Sequence, residues 1–311
     1  MKRVFITGCS GFLASYLVDL LHKEGTCRLS GITEIPGFDS DRIDVYNIDI
    51  RNKEKLFSIV KKIKPHVTFH LAAITNVGFS WKNQDLTYEV NFIGSSNLLE
   101  AIALFAADSR VLLMSSAELY GDKEKKLLDE NTAISVRNPY SLSKYAMELA
   151  ADLSIKSKDL DIIKLRSFNF TGPGQDKKFV TSDFSSQIAA LEKGKKEPVI
   201  RVGNLSAVRD FSDVRDTARY LKIISQKGSR GDIYNLCSGT TYSIKELLDI
   251  LLSFSGKEIK IVEDKERFRS LDIPRLAGDN SLIRKKFNLQ PQYKIEQTLL
   301  DLLNYWREKI H

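Results

Sequence analysis

The sequence predicts a doubly wound α/β fold, in which helices cover both faces of a parallel sheet. Short apolar, β-branched runs alternate with longer amphipathic stretches through residues 1–170, and strands this apolar are typical of a sheet that is buried on both faces. The first run also leads through a glycine-rich turn directly into a helical period. Strands that alternate with helices in this way favour parallel βαβ units.

Hydrophobic periodicity places the elements of the first half. The apolar runs predict strands at Arg3–Thr7, Arg28–Thr33, Ile43–Asn47, Val67–Leu71, Arg110–Ser115 and Asp161–Arg166. Helical spacing of apolar residues between most of these runs predicts helices at Phe12–Glu24, Lys53–Ile63, Thr87–Phe105 and Tyr140–Ser157.

The pattern changes after the Gly172-Pro173-Gly174 segment. It predicts helices and short strands in mixed order, at Val180–Lys193, Val199–Val202, Ala207–Phe211, Val214–Gln226, Ile233–Leu236 and Ile295–Lys309. Ser243, three residues before Glu246, predicts a capping box for a further helix that runs to about Ser255. We therefore expect a first domain at 1–170, to which later segments return, and a smaller, irregular α/β lobe at 171–311.

Composition excludes several classes of protein. Of the 311 residues, 42% are hydrophobic and 28% are charged, which is typical of a globular chain and excludes a disordered one. No apolar run approaches the roughly 18–20 residues of a membrane span, and the N-terminus lacks the features of a signal peptide. We expect a cytoplasmic protein with no membrane partner.

Charge and cysteine spacing point to neither nucleic acid nor metal. The net charge is +7, but acidic residues lie among or near the basic runs, which favours solvated surface over a nucleic-acid stripe. The three cysteines are widely spaced, with no CxxC motif and no neighbouring histidine. We therefore predict neither a disulfide framework nor a metal site.

The glycine-rich turn predicts a dinucleotide site. Gly8 and Gly11 lie between the first strand and the first helix, where free N–H groups and the helix dipole favour a pyrophosphate. The spacing is GxxGxxA, and a tight turn would need glycine even without a ligand. The residues expected to contact the cofactor here are Gly8, Ser10, Gly11, Phe12 and Leu13.

Two further strand ends are expected to approach the cofactor. Asp49-Ile50 could bind the adenine edge, although an exposed loop aspartate is an equal alternative. The small residues in Leu71-Ala72-Ala73 would let ribose and phosphates pass close by. The preceding His70 is interpreted as a core or strand-end histidine rather than a catalyst.

The strongest chemical signal combines Tyr140 and Lys144 with Ser116. A tyrosine and a lysine four residues apart share one helix face, so the ammonium can favour the phenolate and lower the pKa of the phenol. Such a pair can transfer protons near neutral pH. Ser116 comes at the carboxyl end of a predicted parallel strand, where doubly wound folds bind ligands.

These motifs resemble the extended short-chain dehydrogenase/reductase family, which includes nucleotide-sugar epimerases, dehydratases and reductases. The resemblance covers essentially the whole chain. The matching segments are TGCSGFLA, HLAA, VNFIGSSNLL, SSAELYG, FNFTGPGQ, GNLSAVRDFSDVRD and Leu271–Gly278. The resemblance implies a Rossmann fold, NAD or NADP as cofactor, and hydride exchange between C4 of a hexose and the nicotinamide.

The same resemblance implies roles for individual residues. Tyr140 would be the acid/base, Lys144 would lower its pKa and hold the nicotinamide ribose, and Ser116 would bind the C4 oxygen. Asn91 would join the cofactor site. Residues expected to contact the substrate are Ser116, Glu118, Asn169, Val180, Arg209 and Arg269.

The two arginines would contact the diphosphate, because forked guanidinium donors suit phosphate oxygens. The alternative for Arg209 and for Arg269 is a surface ion pair. Ser270 replaces the proline that usually follows the phosphate-binding arginine in this family.

Within the family, the segments around Phe179-Val180-Thr181 and Arg209 look like the GDP-mannose 4,6-dehydratases and the GDP-4-keto-6-deoxy-D-mannose reductases. Dehydratases also eliminate water across C5–C6 and need further acid/base groups. This chain keeps Glu118, but it has Ala117 where those enzymes carry a polar or acidic residue. The reductase is the leading interpretation, with a 4,6-dehydratase or a 4-epimerase as the alternative.

Cofactor preference and assembly stay open at this stage. Thr33 occupies the position expected for the aspartate that binds the ribose hydroxyls of NAD, and Glu34 follows it. NAD and NADP are therefore both retained. We expect a homodimer, and a non-catalytic dinucleotide-binding sensor is the minor alternative because both Tyr140 and Lys144 are present.

Overall fold

The computed structural model describes residues 1–123, 127–195, 197–268 and 272–310. The strands are β1 (Lys2–Thr7), β2 (Cys27–Thr33), β3 (Asp44–Asn47), β4 (Val67–His70), β5 (Arg110–Ser116), β6 (Ile162–Ser167), β7 (Asn169–Thr171), β8 (Val199–Val202), β9 (Val208–Asp213), β10 (Ile233–Leu236), β11 (Thr241–Ser243), β12 (Lys260–Glu263) and β13 (Arg275–Leu276). The α-helices are α1 (Phe12–Glu24), α2 (Lys53–Ile63), α3 (Val77–Lys82), α4 (Gln84–Tyr88), α5 (Gly94–Phe105), α6 (Pro139–Lys158), α7 (Val180–Glu192), α8 (Val214–Lys227), α9 (Ile244–Ser253), α10 (Ser281–Phe287) and α11 (Ile295–Lys309).

A parallel sheet organises the described part of the chain. Its strands follow the order β10-β6-β5-β4-β1-β2-β3, and every neighbouring pair runs parallel. The predicted doubly wound α/β fold is confirmed. Because the strands are parallel, the carboxyl ends of β1, β4 and β5 meet at one edge of the sheet.

Alternate residues of each strand enter two separate apolar layers. On β1, Ile6 packs with α1 and α8 on one face, whereas Phe5 packs with α2, α5 and α6 on the other. Both side chains are fully buried. Burial on both faces explains why the strands carry continuous apolar runs instead of a polar and apolar alternation.

Segments of the second half return to this sheet. Strand β10 pairs with β6 at its edge, and α10 packs beside it through an edge-to-face contact between Tyr234 and Phe287 at 5.1 Å. Helix α8 also packs on this sheet. Helices α7, α9 and α11 form a smaller core against β8, with short sheets around β9 and β12. The exact division into two domains stays a prediction.

Local signals place the ends of the helices that matter for the site. Helix α6 begins with Pro139 after Asn138, whose side chain accepts a hydrogen bond from Ser141 N at 2.7 Å in a capping box. The predicted capping box of Ser243 and Glu246 is confirmed at the start of α9. Among the described residues, no helix has the length and apolar composition needed to cross a membrane.

One predicted helix is interrupted. The sequence predicts a single helix at Thr87–Phe105, but a π-helical turn at Glu89–Ile93 separates α4 from α5. The Asn91 side chain in this turn bonds both backbone groups of Ile74. A single π turn changes the helical phase by only one residue, a shift that is hard to recognise in a short apolar pattern.

Candidate active site

The glycine turn forms a close backbone cradle at the start of α1. Gly8 has φ +68°, and a Cβ added to it would lie 2.9 Å from the Cα and N of Ala72. Gly11 N donates to Gly8 O at 2.9 Å, and a Cβ on Gly11 would lie 3.1 Å from that same oxygen. The positive φ and the close approach to Ala72 require glycine at Gly8, and the contact at Gly11 is tight. The N-terminus of a helix that follows such a turn is suited to bind a pyrophosphate.

Neighbouring residues support the turn. The Ser10 and Thr33 hydroxyls are hydrogen-bonded at 2.6 Å, which ties the turn to the end of β2. Phe12 stacks on Phe170 with ring centroids 6.0 Å apart, whereas Leu13 is buried in the core. Leu13 can therefore meet a ligand only through its backbone.

Asp49 is held in an ion pair that the sequence did not indicate. Arg51 donates to Asp49 Oδ1 at 3.1 Å, to Asp49 Oδ2 at 2.7 Å and to Glu89 at 2.6 Å. The hydrogen bond from Arg51 is the main reason that the pKa of Asp49 is lowered, so its carboxylate is a fixed acceptor at neutral pH. Ile50 is buried against Gly94.

Ser116 and Tyr140 meet at the carboxyl edge of the sheet. Ser116 ends β5 and Tyr140 lies in the first turn of α6. Burial raises the pKa of the phenol to about 12, and this effect outweighs the nearby Ser116 hydroxyl, which lowers that pKa. Tyr140 is therefore protonated near neutral pH and can donate a proton.

Lys144 is buried one helical turn after Tyr140 in α6. Its Nζ donates to Met114 O at 2.8 Å, and burial lowers the pKa of the ammonium to about 7. The sequence predicts that Lys144 lowers the pKa of Tyr140, but here the ammonium bonds a strand carbonyl and burial dominates the phenol. The predicted lowering of the Tyr140 pKa by Lys144 is therefore not present in this arrangement.

The side-chain amide of Asn91 makes all its hydrogen bonds with protein atoms. Its amide nitrogen donates to Ile74 O and to Ser143 Oγ, both at 2.9 Å, and its amide oxygen accepts from Ile74 N at 2.8 Å. The side chain is completely buried. Both amide protons are thus committed to protein acceptors, and the predicted contact with the cofactor stays a prediction.

The expected substrate side chains lie in different environments. Glu118 accepts a hydrogen bond from Asn138 Nδ2 at 3.2 Å, beside Ser116. Ala117, next to it, is buried. Asn169 is exposed at the start of β7, and Val180 is partly buried at the start of α7.

Arg209 is buried and already oriented. Its Nη2 donates to Asp272 Oδ1 at 2.8 Å and its Nη1 to Val208 O at 2.9 Å. The ion pair of the predicted alternative is present, with Asp272, but its location on the surface is wrong, since the Arg209 side chain is 6% exposed. Arg269, the other predicted diphosphate ligand, lies outside the described residues.

The neighbouring carboxylate of Asp210 was not anticipated from the sequence. It accepts hydrogen bonds from the backbone N–H groups of Ser238 and Gly239, both at 2.8 Å. Burial raises its pKa to about 6. Asp210 thereby fastens the 238–239 loop to β9, which also carries Arg209. Across the described ranges, no three His, Cys, Asp or Glu residues are grouped as a metal site would require.

Fold and site together define an NAD(P)-dependent oxidoreductase of the short-chain dehydrogenase/reductase type. The strand-turn-helix cradle fits a dinucleotide, and a protonated tyrosine lies with a serine and a lysine at the same edge of the sheet. The chain belongs to the GDP-mannose 4,6 dehydratase family, whose model matches residues 5–302.

Similar proteins support this membership. The chain is 29% identical to a GDP-6-deoxy-D-mannose reductase from Pseudomonas aeruginosa, over 99% of this chain and 98% of that one. It is 32% identical to a GDP-6-deoxy-D-talose 4-dehydrogenase from Aggregatibacter actinomycetemcomitans, over 90% and 89% of the two chains. Its structure matches that of RMD from Pseudomonas aeruginosa complexed with NADPH, with a TM-score of 0.86, 26% identity and full coverage of both chains.

Proposed function

We propose that this chain reduces the C4 keto group of a GDP-4-keto-6-deoxyhexose with hydride from NADPH or NADH. The reaction is of the type that converts GDP-4-dehydro-6-deoxy-D-mannose to GDP-D-rhamnose. It is supported by full-length similarity to a GDP-6-deoxy-D-mannose reductase and to a structure that holds NADPH. The observation that carries the choice of reaction is Ala117, a buried methyl beside Glu118.

Reduction of a ketone needs one hydride and one proton. The reduced nicotinamide supplies the hydride when it is bound. Tyr140 donates its phenolic proton to the C4 oxygen, and Ser116 donates a hydrogen bond to the same oxygen. A protonated phenol, with its pKa raised to about 12, is the form that this direction requires at neutral pH.

Other residues position the reactants. The N–H groups of the first turn of α1, beginning at Phe12, hold the pyrophosphate, and the Gly8–Gly11 turn lets it approach them. Lys144 holds the nicotinamide ribose, and Arg209 presents guanidinium N–H groups to the substrate diphosphate. The role of Asp272 in this arrangement is to keep the Arg209 guanidinium in place before substrate binds.

The reductase needs nothing more than this set, whereas a dehydratase also needs groups that remove water. The Ala117 methyl has no proton to donate, and the Glu118 carboxylate is bonded to Asn138. Glu118 is nevertheless the observation that favours the alternative, a GDP-mannose 4,6-dehydratase, because a carboxylate beside the C4 site could remove a proton from the sugar ring.

We propose further that the enzyme is a cytoplasmic homodimer. Free cysteines Cys9, Cys27 and Cys237 suit a reducing compartment. Exposed leucines at Leu142, Leu149 and Leu153 lie along one face of α6 and could pack against a second copy about a two-fold axis. Light scattering on the protein and on Leu149→Lys tests the dimer, which the substitution should dissociate.

A substrate panel tests the proposed function. Purified protein is incubated with GDP-, UDP- and dTDP-linked sugars and their 4-keto-6-deoxy forms, each with NADPH or NADH. We expect oxidation of the cofactor and a product heavier by two hydrogens only with a GDP-4-keto-6-deoxyhexose. Turnover of UDP sugars alone would contradict the assignment.

A further inference from the structure

The imidazole of His70 is a buried, doubly hydrogen-bonded group outside the proposed chemistry. It ends β4 and its side chain is 1% exposed. Both ring nitrogens are bonded to hydroxyls at 2.7 Å, Nδ1 to Thr7 Oγ1 and Nε2 to Ser95 Oγ. These partners lie on β1 and α5, which are separate elements that meet only through the fold.

The surrounding hydrogen bonds fix which nitrogen carries the proton. The single proton of the Ser95 hydroxyl is donated to Asn91 O at 2.5 Å, so Ser95 Oγ accepts from His70 Nε2–H. The unprotonated Nδ1 then accepts from the Thr7 hydroxyl. Burial and the charge of Lys144 lower the pKa of the ring to about 3, which keeps His70 neutral.

On one side, this chain of hydrogen bonds controls the cofactor turn. Thr7 Oγ1 accepts from Leu71 N at 3.2 Å and from Ala72 N at 3.1 Å. Gly8, the next residue after Thr7, packs so closely on Ala72 that a Cβ would lie 2.9 Å from its backbone. The orientation of the Thr7 hydroxyl therefore holds the two backbone segments expected to line the dinucleotide.

On the other side, the chain of hydrogen bonds from His70 reaches α6, the helix that carries the proton donor Tyr140. The Asn91 carbonyl that binds Ser95 belongs to the π-helical turn, and the Asn91 amide donates to Ser143 Oγ. Ser143 in turn donates to Tyr140 O at 2.7 Å. Ser143 lies between Tyr140 and Lys144 in α6, so the chain ends at the backbone of the catalytic pair.

We propose that His70, held as the neutral Nε2–H tautomer, is a positioning residue that sets the cofactor turn and the Tyr140–Lys144 helix in one fixed relation. His70 touches neither reactant and moves no proton. It acts because a donor at Nε2 and an acceptor at Nδ1 satisfy Ser95 and Thr7 at the same time. The proposal rests on the proposed function only in assigning proton transfer to Tyr140.

Coupling between the two ends of the chain tests the proposal without any sugar substrate. NADPH affinity is measured by fluorescence titration for Thr7→Val, Ser95→Ala and the double variant. We expect Thr7→Val to weaken binding about tenfold, and Ser95→Ala to weaken it although Ser95 lies on the far side of His70. When Ser95 is already alanine, Thr7→Val should weaken NADPH binding by less than about a further twofold. The hydrogen bonds that connect the two residues through His70 are then already broken.

The matched control is Thr68→Val. Thr68 is a fully buried residue two positions before His70 on the same strand, and its hydroxyl is bonded to Ser109 at 3.1 Å. Combined with Thr7→Val, it should leave the tenfold factor unchanged. The proposal is overturned if Thr7→Val weakens NADPH binding by the same factor in the wild type and in Ser95→Ala. Thr7 and Ser95 would then affect NADPH binding independently.

Nitrogen NMR measures which ring nitrogen of His70 carries the proton. A purely structural role for His70 does not predict that result. The chain has four histidines, and His70→Gln assigns the signal of this ring. We expect a neutral ring protonated at Nε2 from about pH 5 to pH 8, and partial recovery of NADPH affinity in His70→Gln relative to His70→Phe. Protonation at Nδ1, or titration near the usual pKa, would overturn the proposal. None of these measurements depends on which nucleotide sugar is reduced.

Discussion

The hydroxyl of Ser116 lies beside the phenol of Tyr140, close enough to favour the ionised phenol, although the two residues come from different elements. Strand β5 delivers Ser116 at its last residue, and the capping box of Asn138 begins α6 so that Tyr140 lies in the first helical turn. The two groups can therefore reach one oxygen atom of a bound ligand. Proton donation by Tyr140 is the step that this relationship predicts.

Tyr140→Phe should reduce turnover by about two to four orders of magnitude, the usual scale of general acid catalysis. Cofactor affinity should stay nearly unchanged, because the ring still fills its buried site. Steady-state kinetics and NADPH titration check both expectations. Tyr145→Phe, on the same helix, is the control, and a Tyr140→Phe enzyme with full turnover would remove Tyr140 from the mechanism.

Gly11→Val should weaken dinucleotide binding. A Cβ at this position would lie 3.1 Å from Gly8 O, and the branched methyls would occupy the space through which the backbone approaches the pyrophosphate. Titration with NADPH and NADH measures the loss. Gly256→Val is the matched control, because a Cβ there meets no atom within 4 Å. Equal affinities in the two folded variants would make the Gly11 turn purely structural.

The buried Lys144 predicts a pH dependence of stability. Burial lowers its pKa from the usual 10.5 to about 7 in the folded state. Between these values the unfolded chain binds the proton and the folded chain does not, so the contribution of Lys144 to the free energy of unfolding rises with pH. Below pH 7 the full penalty of burying the charge is present.

Denaturant unfolding of the wild type and of Lys144→Met, at a series of pH values in that window, measures this effect. The stability of the wild type relative to the variant should increase as the pH rises. A difference that stays constant across the window would contradict the shifted pKa of Lys144.

The buried ion pair of Glu148 and Arg166 predicts a large loss of stability on Glu148→Gln. Arg166 Nη2 donates to Glu148 Oε2 at 2.9 Å and Nε to Oε1 at 3.1 Å. Removing one partner leaves a buried charge unpaired, at a cost of about 3–5 kcal/mol in the free energy of unfolding. Asp249→Asn, in the exposed pair with Lys245, should cost no more than about 0.5 kcal/mol. Similar losses in both variants would contradict the assignment.

Much of the fold was predictable because the sheet is buried on both faces. Continuous apolar runs such as Val67–His70 predict strands that are buried on both faces of a parallel sheet. In such a sheet the carboxyl ends of the strands lie at one edge. That is why Ser116, Tyr140 and the Gly8 turn could be placed together from the sequence. The return of β10 to the edge of the sheet was less visible, since four residues carry no signal that identifies their pairing partner.

Other parts of the site depend on contacts between distant residues. The partners of Lys144 and Arg209 are Met114 O and Asp272, and neither partner is marked by local spacing. The π turn at Asn91 and the bonds of His70 likewise depend on side chains that meet only after folding. His70 was correctly interpreted as a core histidine, but its two hydroxyl partners could not be inferred from its neighbours in the chain.

The stoichiometry of cofactor oxidation tests the central claim most directly. A reductase consumes one reduced nicotinamide for each product, whereas a dehydratase returns the hydride to the sugar and leaves the nicotinamide in its starting state. Since Ala117 has no proton to donate beside Glu118, we predict loss of NADPH or NADH absorbance equal to the GDP-4-keto-6-deoxyhexose consumed, and no dehydration of GDP-mannose. A product lighter than GDP-mannose by one water, formed without net cofactor oxidation, would contradict the reductase.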